Sequence, residues 1–195
     1  MGRPLRAIDP DSIYHVMCRG SDKQPIAWDR QDFDSLFSCL DRVAKRHAWE
    51  VFAWCLMPNH YHLIVRTTLE GFSRGLQVLN QTHSIRTNLR YGKSAHLFRN
   101  RPHSVEVLSQ AHLVNAIVYV VRNPIRAGLC KRAWEWPYSS YRATVGHAPA
   151  PPWFALSVVL ELFGGATEFA RIVHDEHDLV SDTDLAEPPA EATPV

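Results

Sequence analysis

The chain of 195 residues has 21 basic and 20 acidic residues and 46% hydrophobic ones, a composition typical of a one-domain globular protein. No apolar run approaches the roughly 20 residues of a transmembrane helix, and the first residues lack the apolar centre of a signal peptide. The four cysteines are scattered without a C-x-x-C pair. We therefore expect reduced thiols in a cytoplasmic protein and no zinc site built from cysteine.

The near-zero net charge hides two segments of opposite charge. Residues 66–132 contain eleven basic and two acidic residues, which leaves a formal charge of +9. Residues 161–195 contain nine acidic residues and one arginine, which leaves −8. A middle segment this basic favours a polyanion as partner, most simply nucleic acid, although a solvated arginine-rich surface would give the same count.

The first half of the chain alternates predicted strands and one helix. Residues 13–19 are predicted to form a strand, and Asp29 is placed to cap a helix that ends near His47. Residues 51–56 are apolar on both faces, which is typical of a central strand with cover on each side. A Pro-Asn turn then leads into another strand at residues 60–65, so we expect the two strands to pair as a hairpin.

This last strand places two histidines on one face. Successive side chains of a strand point to opposite faces, so His60 and His62 project together while Tyr61 points into the other layer. An imidazole in an apolar strand is not positioned for solvation, which makes the pair a candidate for metal binding. The alternative is a pair of buried packing histidines.

The basic middle segment contains two predicted helices with an extended stretch between them. The first helix covers about residues 72–91 and is broken at Gly92. Residues 96–107 are predicted to be extended, with Arg99 and Arg101 at an edge that could follow a phosphate backbone.

The second of these helices, at about residues 110–122, has a polar face opposite its buried stripe. Tyr119, Arg122 and Asn123 share that face because they fall at i, i+3 and i+4. Pro124 has no N–H and disfavours helix at the preceding residue, so we expect the helix to kink or end at Asn123.

The C-terminal part is predicted to hold two short helices, at residues 153–163 and 167–174, followed by an acidic and disordered tail beyond Asp178. The predicted division is a catalytic domain of residues 1–147, a helical extension of residues 148–178 and a tail of residues 179–195.

A tyrosine on a helix beside two histidines on a strand indicates one reaction class. The Tyr119 hydroxyl would be a nucleophile toward a phosphodiester and form a covalent phosphotyrosine, which a free 3′-hydroxyl can later attack. The two histidines and the side-chain oxygen of Asn123 would hold a divalent ion. The ion and Arg122 would ease ionisation of a phenol whose reference pKa is about 10.

Two motifs resemble those of the HUH single-tyrosine transposases, and more closely the REP-associated tyrosine transposases. They are Met57-Pro58-Asn59-His60-Tyr61-His62-Leu63-Ile64-Val65 and Tyr119-Val120-Val121-Arg122-Asn123-Pro124-Ile125-Arg126-Ala127-Gly128-Leu129. The resemblance covers roughly residues 10–145. It implies an α+β fold, a ferredoxin-like or RRM-like antiparallel sheet with helices packed on it, here with a C-terminal helical extension. It also implies cutting and rejoining of single-stranded or hairpin DNA at palindromic repeats.

The resemblance also implies roles for single residues. His60 and His62 match the metal ligands of the family, Tyr119 its nucleophile and Asn123 its third ligand, with Mg²⁺ or Mn²⁺ as the ion. Tyr61 stands where an aliphatic residue is usual. We further expect a nucleoid-associated monomer. The arginines that are candidates for DNA contact are Arg19, Arg66, Arg86, Arg90, Arg99, Arg101, Arg122 and Arg126.

Two other functions are compatible with the same residues. A non-catalytic DNA-binding protein of the same fold would bind hairpins without cleaving them and would be insensitive to EDTA. A phosphodiesterase-type hydrolase acting on RNA ends or cyclic phosphates would need a second His-x-Ser/Thr motif, to which His103-Ser104 is the nearest approach.

Overall fold

The computed structural model describes residues 12–94, 96–98 and 101–175, and within these ranges four strands form one antiparallel sheet flanked by six α-helices. The strands are β1 (Ile13–Arg19), β2 (Glu50–Leu56), β3 (His60–Arg66) and β4 (His103–Val107). The helices are α1 (Arg30–Arg46), α2 (Leu69–Tyr91), α3 (Gln110–Arg126), α4 (Tyr141–Thr144), α5 (Leu156–Phe163) and α6 (Ala166–His174). None of these helices is long and apolar enough to cross a bilayer.

The topology confirms the predicted fold class. The elements follow one another as β1-α1-β2-β3-α2-β4, and the strands lie side by side in the order β2-β3-β1-β4 with every pair antiparallel. This is the ferredoxin-like arrangement, extended here by α3 and the helices that follow it. The predicted hairpin of β2 and β3 is present.

Side-chain caps set the helix bounds. The Asp29 side chain accepts the backbone N–H of Asp32 at 3.1 Å and starts α1, which ends at its cap residue His47 as predicted. The α2 helix begins three residues earlier than predicted, because the Thr68 hydroxyl accepts the N–H of Gly71 at 3.1 Å.

Different helices cover the two faces of the sheet. The face with Tyr14 and Tyr61 packs on α2: the Tyr14 ring is tilted against Phe72 at 5.1 Å between centroids, and the Tyr61 hydroxyl donates to Asn80 at 2.7 Å. The opposite face packs on α3. Tyr61 therefore points away from the histidine face, as its place in the strand predicted.

The β2 strand lies at one edge of the sheet, so the prediction of a central position was wrong. Its outer edge is covered by the C-terminal extension: the N–H of Val51 donates to the carbonyl of Trp153 at 3.0 Å, and the N–H of Ala155 donates to Val51 at 2.9 Å. Trp54 packs against Trp153 at a ring distance of 5.2 Å. The extension thus buries a strand that would otherwise expose apolar side chains and unpaired backbone groups.

The α3 helix continues through Pro124 to Arg126, so it does not end at Asn123, which was one of the two predicted outcomes. Pro124 stands two residues before the last helical residue, Arg126, and removes one backbone bond, the one to the carbonyl of Val120. It is buried in the core side of the helix. Because the helix is unbroken, Tyr119 and Asn123 lie one turn apart on the same face.

Other predicted segments differ in extent. Of the described residues in the stretch predicted to be extended, those of β4 form a strand, and Phe98 makes an isolated bridge with Gly20. The two C-terminal helices are present as α5 and α6, and α6 packs on α3. Arg99 and the predicted tail lie outside the described residues. The three-part division of the chain stays a prediction.

Candidate active site

The predicted histidine pair and the predicted nucleophile meet on the α3 face of the sheet. The rings of His60 and His62 lie 4.9 Å apart between centroids, and the His62 ring meets the Tyr119 ring edge-on at 5.6 Å. A third imidazole, that of His15 on β1, contacts Tyr119 at 5.7 Å. The structure therefore brings two imidazoles, those of His15 and His62, against the Tyr119 ring, with His60 beside His62.

Strand pairing places His15 in this group. In the β1–β3 register Met17 lies across from His62 and Arg19 across from His60, so the side chains at 15, 17 and 19 share the histidine face. The sequence contained the alternation within β1 but not the register between β1 and β3. His15 was therefore missed as a site residue.

His15 and His62 form a buried imidazole pair. His15 Nε2 lies 2.9 Å from His62 Nδ1, and the ring centroids are 5.1 Å apart with an interplanar angle of 28°. Burial, with a smaller effect of the neighbouring His15, holds the pKa of His62 well below its usual range. Burial likewise lowers the pKa of His15 to about 4. Both rings are therefore neutral near pH 7.

His60 is oriented by the turn that precedes its strand. Its Nδ1 lies 2.6 Å from the side-chain oxygen of Asn59, and the Asn59 amide nitrogen donates to the carbonyl of Lys23 at 3.4 Å. Because a carbonyl oxygen only accepts, Nδ1 of His60 carries the proton. The lone pair of a neutral His60 is then on Nε2.

Tyr119 and Asn123 are coupled through the α3 backbone. The Asn123 amide nitrogen donates to the carbonyl of Tyr119 at 3.0 Å, which leaves the amide oxygen of Asn123 as an acceptor. The Arg126 guanidinium lies over the Tyr119 ring, 4.9 Å from its centroid. Tyr119 is partly buried.

The donor set at this face fits a divalent ion. Within the described residues no three histidine, cysteine or carboxylate side chains come together as a metal-binding group, so a site here needs a donor of another type. The side-chain oxygen of Asn123, whose amide nitrogen is bonded to Tyr119, is a candidate of that type, and a neutral His60 keeps a lone pair on Nε2. A mixed nitrogen and oxygen set of this kind suits first-row dications such as Mn²⁺.

Two of the predicted DNA-contacting arginines lie at the site. Arg19 is directly across from His60 on the neighbouring strand, and Arg126 covers Tyr119. Arg122, predicted to act on the phenol, instead donates to the backbone carbonyl of Asp175 at 2.8 Å. The physical reason is helical periodicity, since Arg126 at i+7 lies over Tyr119 and Arg122 at i+3 turns toward the end of α6.

The remaining described arginines do not gather beside them. Arg66 pairs with Glu50 at 2.6 Å, Arg90 pairs with Asp29 and Asp32, and Arg86 lies 3.4 Å from the Ser35 carbonyl. Arg101 is exposed ahead of β4. The seven candidates that lie in the described part of the chain therefore do not gather at the site, and the roles of all eight in DNA binding stay a prediction.

Acid is expected to destabilise the metal-free protein. Burial lowers the pKa of His15 from 6.5 to about 4, and it also lowers those of His62 and His83. Below pH 6.5 the unfolded chain therefore binds more protons than the folded protein, and the free energy of unfolding falls as the pH falls. For His15 alone the stabilisation is complete above pH 6.5 and decreases by about 3 kcal/mol on reaching pH 4.

Urea unfolding in EDTA from pH 7.5 to pH 4 measures this slope. His83→Gln removes one of the three buried imidazoles, far from Tyr119, and we expect it to flatten the slope. His147→Gln, at an exposed position, is the matched control and leaves the slope unchanged. A wild-type stability independent of pH over this range would contradict the expectation.

Comparisons with known proteins agree with this geometry. Residues 10–120 match the sequence profile of the family described as Transposase IS200 like, a span that holds His60, His62 and Tyr119. A solved structure of a REP-associated tyrosine transposase bound to a REP hairpin is similar in fold, with a TM-score of 0.60 and 18% identity, over 76% of this chain and 89% of that one. A search of curated proteins finds no match. Because the profile covers more than half of the chain, the protein belongs to the IS200-like transposase family.

Proposed function

We propose that the chain is a metal-dependent single-strand DNA endonuclease and transesterase. It would cleave and rejoin DNA at palindromic, REP-type hairpins through a covalent phosphotyrosine at Tyr119. The observation that carries the proposal is the contact of the Tyr119 phenol with the histidine face of β3, at 5.6 Å between the rings of Tyr119 and His62. Membership of the IS200-like family supports it.

In the cleavage step the Tyr119 hydroxyl gives up its proton to solvent, and its oxygen forms a bond to the scissile phosphorus. The bond from phosphorus to the 3′ oxygen breaks, and that oxygen leaves as a 3′-hydroxyl after taking up a proton. Rejoining is the reverse, in which a 3′-hydroxyl attacks the phosphotyrosine and releases the phenol. The phosphodiester energy is conserved in the link, so no nucleotide cofactor is needed.

The side chains around Tyr119 have separate tasks. His60, His62 and Asn123 are the proposed ligands of Mg²⁺ or Mn²⁺, which when bound would polarise the scissile phosphate and orient it for in-line attack. Arg126, over the Tyr119 ring, is placed to stabilise the negative charge that develops on the phenol oxygen. Partial burial of Tyr119 strengthens that interaction.

The proposed substrate is single-stranded DNA that folds into a hairpin, bound by a monomer in the cytoplasm at the nucleoid. The similar solved structure is bound to a REP hairpin, and the basic middle segment of this chain, with a formal charge of +9 over residues 66–132, is suited to a polyanion. Arg19 and Arg126 are the proposed contacts nearest the reacting phosphate.

The test is incubation with a labelled single-stranded repeat hairpin in Mn²⁺ and in EDTA. We expect a covalent protein–DNA adduct on a denaturing gel, mapped by mass spectrometry to one tyrosine, and a loss of at least about a hundredfold in EDTA. Hairpin binding without an adduct in either condition would overturn the nuclease and favour a DNA-binding protein of the same fold.

A further inference from the structure

His15 lies against His62, a proposed metal ligand, so any role of His15 at the ion rests on the proposed function. His15 Nε2 and His62 Nδ1 are 2.9 Å apart, and both residues are at most 5% exposed. Among the residues that the structure describes, no backbone carbonyl or carboxylate bonds to this ring nitrogen of His62. A second imidazole therefore occupies the position that an oxygen acceptor commonly holds behind a metal-binding histidine.

Two ring nitrogens 2.9 Å apart are at hydrogen-bond distance, so one of them carries a proton that it donates to the other. Two neutral rings satisfy this in two ways: His62 Nδ1–H donates to His15 Nε2, or His15 Nε2–H donates to His62 Nδ1. In the second arrangement the proton of His62 is on Nε2, which then has no lone pair for a cation. In the first arrangement Nε2 of His62 is free of its proton and is available as a ligand.

His60 on the same strand supports the first arrangement. Asn59 accepts from Nδ1 of His60 and so leaves the lone pair on Nε2. The two imidazoles would then present the same ring nitrogen, each held from behind by a neighbour on its Nδ1 side. The side-chain carbonyl of Asn59 accepts from the partly buried His60, and the neutral imidazole of His15 would accept from the buried His62.

We propose that His15 is a positioning residue that accepts the Nδ1–H of His62 and thereby fixes the tautomer and the ring angle in which Nε2 of His62 binds the divalent ion. The two ring planes are inclined by only 28°, so the hydrogen bond runs close to the plane of both rings and restricts rotation of the His62 ring about χ2. The role is distinct from catalysis, because His15 meets Tyr119 only at the ring, 5.7 Å between centroids, and would act on the ion through the nitrogen of His62.

The tautomer is measured directly in the full chain without metal. In long-range ¹H–¹⁵N correlation spectra of wild-type protein in EDTA, we expect His62 to show a protonated Nδ1 and an unprotonated Nε2. His62 is assigned by its loss in His62→Gln. A His62 with its proton on Nε2 would overturn the proposal whatever the activity of the protein.

Two substitutions of His15 separate positioning from packing. His15→Phe keeps an aromatic ring and removes the acceptor, and we expect Mn²⁺ affinity, measured by calorimetry, to fall about 10- to 100-fold. His15→Gln places an amide oxygen near the position of Nε2, and we expect affinity within about threefold of wild type. His83→Gln, a buried histidine bonded to the Ile26 carbonyl on the other face, is the matched control.

The outcomes separate a failure of the proposed role of His15 from a failure of the proposed nuclease activity. Wild-type Mn²⁺ binding and adduct formation with unchanged Mn²⁺ affinity in His15→Phe would refute the role of His15 and leave the nuclease intact. Equal losses in His15→Phe and His15→Gln would show a packing role and also refute it. Absence of Mn²⁺ binding and of adduct in wild type would refute the nuclease. Should His15→Phe not fold, His15→Gln and the wild-type tautomer decide.

Discussion

Tyr119→Phe is expected to reduce formation of the covalent DNA adduct by at least about 10³-fold, to below detection on a denaturing gel. The substitution removes one oxygen, the atom that would bond to phosphorus. The ring remains, with its contacts to His15 and His62 and its place under Arg126. We therefore expect the free energy of unfolding to change by less than about 1 kcal/mol.

Tyr61→Phe is the matched control for this experiment. Tyr61 lies between the two histidines in sequence, yet its hydroxyl donates to Asn80 of α2 at 2.7 Å, on the opposite face of the sheet. Loss of that bond lowers stability by about 1 kcal/mol and leaves the yield of adduct unchanged. An adduct in Tyr119→Phe, or its loss in Tyr61→Phe, would contradict the assignment of the nucleophile.

A third outcome, cleavage without an adduct in Tyr119→Phe, would indicate a different nucleophile. If Tyr119→Phe still released cleaved product without an adduct, water would be the nucleophile, and a phosphodiesterase-type hydrolase would be favoured. The nearest support for that reading, His103, lies across from Met17 on β4, with the whole of β1 between it and His62. Its exchange for glutamine would then be expected to abolish hydrolysis.

Features set by local chemistry could be predicted from the sequence. The start of α1 follows from the Asp29 cap, and the shared face of His60 and His62 follows from the period of a strand. Both are local rules that act over at most a few residues. Tyr119 was found in the same way, from its place on the polar face of α3.

Features set by pairing between distant segments could not be predicted. The apolar character of β2, an edge strand, depends on cover from Trp153 and Ala155, about a hundred residues later, which hydrogen-bond to Val51. The place of His15 depends on the β1–β3 register, and a shift of one residue would move it to the other face. The continuation of α3 past Asn123 depends on tertiary packing that buries Pro124 and overrides a local preference.

The proposed ligands His60 and His62 are expected to differ in their effect on stability and to agree in their effect on metal binding. His60→Ala and His62→Ala each remove an imidazole ligand, so we expect each to weaken Mn²⁺ binding by at least about a hundredfold and to abolish the adduct. His60 is partly exposed and bonded to the adjacent Asn59, so its loss lowers the free energy of unfolding in EDTA by about 1 kcal/mol or less.

His62→Ala removes a side chain that is 2% exposed, opens a cavity between the sheet and α3, and leaves Nε2 of the buried His15 without its partner. The two effects together lower the free energy of unfolding in EDTA by about 3 kcal/mol. Urea unfolding in EDTA and Mn²⁺ calorimetry on both variants separate the contributions. If His62→Ala lost this stability but bound Mn²⁺ as tightly as wild type, the pair would be packing histidines. If His60→Ala bound Mn²⁺ as tightly as wild type, His60 would not be a ligand of the ion.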